Sequence, residues 1–122
     1  MLTVRRKGGG LARLAAALPK VAQQEVDAAA ERIAGEARGL VPVKRGSLKG
    51  SIETHPAGVH AAVVQAGGGG HTTPEGKPVD YALPVEMGGA GRPAKPFMRP
   101  AAFAEAPRFP KELAKALREA MR

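Results

Sequence analysis

Cysteine and tryptophan are missing from this chain of 122 residues, and aromatic side chains make up only 3% of it. Without cysteine there is no disulfide, no thiolate nucleophile and no cysteine-based zinc site. With one tyrosine and three phenylalanines, stacking on the bases of a single strand has almost nothing to work with. Long apolar runs are missing too, and none approaches the ~20 residues that span a bilayer. Arg5, Arg6 and Lys7 stand near the start, but the glycines that follow and Arg13 spoil a signal-peptide pattern. The expectation is one soluble domain in a reducing compartment.

Bulky aliphatic side chains are scarce as well. The 43% hydrophobic content is half alanine: 24 alanines stand beside 24 Leu, Ile, Val and Phe together. A core of that kind collects few of the ~1.5–3 kcal/mol increments that a large buried apolar side chain supplies. The lone subunit is expected to be marginal, and association is the natural remedy. Charge is present in excess of one sign, with 19 Lys and Arg against 11 Asp and Glu, net +8. Such a field favours anionic partners: nucleic acid, an acidic protein surface or a membrane face.

The strongest periodic signal runs from Pro19 to Leu40. Val26, Ala30, Ile33, Ala37 and Leu40 recur at spacings of four, three, four and three, one narrow helical seam, while Gln23, Gln24, Asp27, Glu31 and Arg38 fall largely opposite. Pro19 suits a first helical position, and Gly39 with Pro42 mark the end. Leu11, Leu14 and Leu18 predict a separate short helix over 10–18, after a glycine joint at Gly8–Gly10 and a short strand at Leu2–Val4. Ser51–His55 and Val59–Ala66, bracketing Pro56-Ala57-Gly58, read as a hairpin. The glycine-rich stretch Gly67–Pro78 has little to bury and is expected to be mobile before a partner binds, and Gly88–Pro96 is expected to be a second flexible arm that orders on contact. Val79–Met87 reads as extended, with Pro84 confining it to a sheet edge. Pro100 opens a short helix to Ala106, and after Pro107 a last helix covers 110–121 with Leu113, Leu117, Ala120 and Met121 as its apolar stripe. The class is α+β: a long N-terminal and a C-terminal helix on a small, mostly antiparallel sheet.

No chemistry-bearing pattern completes itself. Gly70 and Gly76-Lys77 nearly spell a P-loop, but five residues separate the glycines and Pro78 stands where a magnesium-binding hydroxyl belongs. His55, His60 and His71, even with Glu53 or Asp80, show no metal-ligand spacing. Ser47 and Ser51 lack a nameable base. The expectation is a protein that is not an enzyme and takes no cofactor, metal or small-molecule substrate. The basic clusters remain: Lys44, Arg45 and Lys49 after the long helix, and Arg92, Lys95 and Arg99 among the prolines, as candidates for duplex backbone or an acidic surface.

Two stretches carry a family pattern. The first, Val41 to Ile52, reads VPVKRGSLKGSI after the long helix. The second begins YALPVEMGG at Tyr81 and continues RPAKPFMRPA to Ala101. Together they resemble the tail-completion, or head–tail joining, proteins of long-tailed phages. In that family a helix ending in Val-Pro precedes Gly-x-Leu-x-x-Ser-Ile, and Tyr-Ala-x-x-Val-Glu-x-Gly precedes Pro-Ala-x-Pro-Phe-x-Arg-Pro-Ala. Gly46, Leu48, Ser51 and Ile52 match the first; Tyr81, Val85, Glu86, Gly88, Phe97 and Arg99 are among the matches in the second. The chain departs at Lys44 and Arg45, where the family usually has Asp-Thr, and at Gly89, where it has Thr.

The resemblance implies a virion protein at the head–tail interface, assembled in the host cytoplasm. It would form a ring, with six subunits expected, around the DNA channel, and would dock head-connector and tail-tube or tail-terminator proteins. Leu48, Ile52, Tyr81 and Phe97 are then fold anchors. Glu86 and Arg99 are a pair formed either within one subunit or across the ring. The other reading of the residues is a small basic histone-like protein that binds duplex DNA.

Overall fold

The computed structural model describes residues 10–42, 46–68, 70–89 and 91–122. The strand expected at Leu2–Val4, the first glycines of the joint, and Lys44 and Arg45 lie outside them. The elements are α1 (Gly10–Leu40), α2 (Gly46–Gly50), β1 (Glu53–Pro56), β2 (Ala62–Gln65), α3 (Ala82–Met87) and α4 (Met98–Ala120). The class is α+β as expected. α4 lies along α1, and α1 also carries the two-stranded sheet on its flank. The strands are antiparallel, with Glu53 opposite Gln65 and Pro56 opposite Ala62.

The short α2 was not expected and the hairpin strands start later than expected, and three further differences from the sequence reading all involve proline. Pro19 does not separate two helices, because α1 runs through it. Proline there deprives the Ala15 carbonyl of its helical donor. Both residues are exposed, so water can replace the lost bond, and the stripe Leu14, Ala17, Val21 continues across the site. Pro107 and Pro110 likewise lie inside a single α4. The carbonyls they leave without a donor, on Phe103 and Ala106, belong to exposed residues, so the two expected helices are one. The extended segment expected at Val79–Met87 is helical from Ala82. Pro84 falls in the first turn, where no backbone N–H is needed, and Ala82, Val85 and Glu86 face inward at helical spacing.

The core explains why so little bulk suffices. Ala34 and Ala37 are fully buried on α1, and with Val41 just past its end they meet Leu48, Ile52, Val79, Val85, Phe97 and Ala101; Ala30 is buried on α1 outside this cluster. Ala30 and Ala37 of the expected seam are buried, but Ala34 and Val41 take the places expected of Ile33 and Leu40. Ile33 flanks the cluster, and Leu40 is 45% exposed. Alanine at the contact lets two helix backbones approach closely, which a leucine at Ala34 or Ala37 would prevent. The C-terminal stripe follows expectation at Leu113, Leu117 and Met121, which are half-buried, but not at Ala120, which is exposed like Lys111, Lys115 and Arg118.

Candidate functional site

α4 begins with Phe97 at its N-cap, a residue with no side chain able to hold the first backbone N–H groups. Glu86, from the last turn of α3, supplies what is missing. Its carboxylate accepts the N–H of Phe97 at 2.7 Å, of Met98 at 3.0 Å and of Arg99 at 2.9 Å. The Arg99 Nε adds a bond of 3.3 Å, so the Glu86–Arg99 pair left open by the sequence forms within the chain. Burial pushes the Glu86 carboxyl up, but the three backbone donors and the guanidinium outweigh it, and the net direction is down. The positive end of the α4 dipole works in the same direction.

The turn between the two helices is as constrained as the cap. Gly88 has φ of +76°, and a Cβ there would lie 2.8 Å from the Ala94 nitrogen. Gly89 and Arg92 exchange backbone bonds, and the Lys95 N–H donates to the Val85 carbonyl at 2.8 Å. The loop that carries Arg92 and Lys95 is thus held at both ends. Phe97 drops into the core beside Leu48 and Ile52, all at most 2% exposed, with Tyr81 packed at the edge. All four expected anchors are therefore core or core-edge residues.

Ser51 has no catalytic role in this geometry. It is fully buried, its hydroxyl donates to the Leu48 carbonyl and accepts from the Gly67 N–H, both at 2.7 Å, and so it joins α2 to the glycine-rich segment. That segment folds back on itself: Gly68 N–H donates to the Val79 carbonyl, Val79 N–H to His71, and Thr73 N–H to Lys77.

One further cluster was not picked out from sequence, and another joins residues that the sequence offered only as a metal set. Arg32 on α1 grips Glu105 on α4 with bonds of 2.6, 2.9 and 3.1 Å, and the Glu105 side chain is nearly buried. The bond to Glu105 and its charge raise the Arg32 pKa against the opposing effect of burial. A lone carboxylate in the alanine-rich run Ala101–Ala106 was the available signal. On the hairpin, Glu53 stands between His55 Nε2 at 3.0 Å and His71 Nε2 at 3.2 Å, with Gln65 on the same carboxylate. Hydrogen bonding to His55 first, and then to His71, lowers the Glu53 pKa. His60, at φ +54°, ties the hairpin tip to α1 through Gln23 and the Pro19 carbonyl. Among the described residues, no group of three or more His, Cys, Asp or Glu could hold a metal ion.

The basic candidates end up on the surface. Lys49 on α2, Arg92 and Lys95 in the α3–α4 loop, and Arg99 in the first turn of α4 are all exposed. Among the described residues, the side chains of Lys49, Arg92 and Lys95 make no hydrogen bond or ion pair. Nearby on α3, Leu83 and Met87 are exposed one helical turn apart, and Phe103 is 73% exposed on α4. No described helix is long and apolar enough to cross a membrane. Comparison with models of protein families, with curated proteins and with solved structures finds no match for this chain.

Proposed function

We propose that this chain is a structural subunit of a phage neck, forming a ring that completes the tail and joins it to the head connector around the DNA channel. The observation that carries the reading is that the positions of the resemblance work as one device. Glu86 from YALPVEMGG holds the first turn of the helix begun by PFMRPA, Gly88 permits the close turn between them, and Leu48 and Ile52 from the earlier stretch pack with Phe97. The pattern thus describes a local fold whose outer side presents Arg92, Lys95, Leu83 and Met87 to a neighbour. Lys49 and Arg99 extend the basic surface toward lumenal DNA or an acidic ring. The work is assembly rather than catalysis.

The test is electron microscopy of virions made without this gene. Filled heads beside separate, full-length tails support the proposal, and normal joined virions overturn it. Duplex binding by the purified chain that falls steeply with salt would favour the histone-like reading instead.

A further inference from the structure

Between α1 and the hairpin lies an open groove of about 230 Å³, lined by Asp27 and Glu31 from the helix and by Thr54, Pro56 and Ala62 from the strands. Ala30 and His55, the latter held by Glu53, complete the lining. The groove is smaller than the ~300–1,000 Å³ of small-molecule sites and suits a long side chain. Among the described residues its two carboxylates are satisfied by neutral donors alone: Asp27 accepts from Gln23 and Glu31 from Thr54. The arginines farther along α1 are engaged elsewhere, Arg32 by Glu105 and Arg38 by the Ile52 carbonyl. The groove is therefore a cation-seeking face on a chain whose overall charge is +8.

The matching cations are on the same molecule. Arg92 and Lys95 are exposed, and each is followed directly by a proline, Pro93 and Pro96. Their loop is fastened by the Gly89–Arg92 pair and by Lys95 N–H to Val85. A tongue already stiffened by proline and by these bonds loses little freedom on docking. No side chain of the tongue lines the groove of its own chain.

We infer that the α1–hairpin groove receives the Arg92–Lys95 tongue of a second copy, Asp27 and Glu31 meeting the two cations while Leu83 and Met87 cover the rim. Groove and tongue are different patches, so the contact is head-to-tail, and repetition closes into a ring when the rotation permits. This inference deepens the ring reading proposed above and names the two faces through which subunits of such a ring join.

The test is sedimentation velocity of the purified full chain, with circular dichroism as a check on folding. The wild type is expected to associate. Asp27→Lys/Glu31→Lys and Arg92→Glu/Lys95→Glu should each weaken association by about tenfold or more, since each sets like charges face to face. Mixing the two variants restores opposite charges at both contacts and should restore association. Because Glu31 also binds Thr54, the single changes Asp27→Lys and Arg92→Glu form a milder second pair. A monomeric wild type, variants that associate like the wild type, or a mixture that stays dissociated would each overturn the inference. Association that charge reversal leaves untouched removes the groove but not the ring, whereas loss of the neck reading would be seen only in the virion micrographs.

Discussion

At the α3–α4 junction a carboxylate is buried and binds three backbone N–H groups, whereas on the hairpin another stands at the surface between two imidazoles. Glu86 completes a helix that has no cap of its own, so its loss leaves buried donors unsatisfied. Glu53 clips together groups that water can serve equally well. The same residue type is thus structural in one place and adjustable in the other, and the difference lies in what would be left unpaired.

The widest gap between the two regions should come from Phe97→Ala, which empties the centre of the junction and is expected to cost about 3–5 kcal/mol, read as a lower urea midpoint. In a domain whose total stability is about 5–15 kcal/mol, that change brings the chain near unfolding. Glu86→Ala follows, at about 2–3 kcal/mol, because the first turn of α4 loses its acceptor. A cost no larger than that of an exposed glutamate would mean that the junction holds without its cap. Glu105→Ala, which frees Arg32 to rehydrate, should cost about 1–3 kcal/mol, measured in the same denaturation series. Smallest is Glu53→Gln: no resolvable shift of the global transition, but faster amide exchange at Gly68, His71 and Val79 as the His71 clip loosens.

Acid sharpens the contrast. The folded pKa of Glu86 lies below its ordinary value of 4.5, so its contribution is complete above that pH and is lost as pH falls through the folded value. Thermal unfolding followed from neutral pH down to about pH 3 should show an acid limb that Glu86→Gln flattens.

The elements that could be read from sequence were those whose signal is periodic. The long helix, the hairpin and the C-terminal stripe of Leu113, Leu117 and Met121 fall where their spacing put them, and Leu48, Ile52 and Phe97 reach the core. Proline misled at Pro19, Pro107 and Pro110, because local rules price the missing N–H without knowing that the orphaned carbonyl faces water. Ala30 and Ala37 of the seam were legible, but Ile33 and Leu40 were read in place of Ala34 and Val41 because bulk was weighted over closeness. Glu86 and Arg99 were flagged as a pair, but the backbone donors of a helix that begins twelve residues later leave no mark in composition. The Arg32–Glu105 grip spans 73 residues and was out of reach of any local pattern.

Because the acceptor for the first turn of α4 comes from another helix, the C-terminal stretch lacks autonomy. A peptide beginning at Phe97 would start its helix late, with loose initial amides, and adding residues 81–96 in cis should tighten them. A nascent chain, in which Glu86 emerges before Phe97, always has the acceptor waiting when the donors appear.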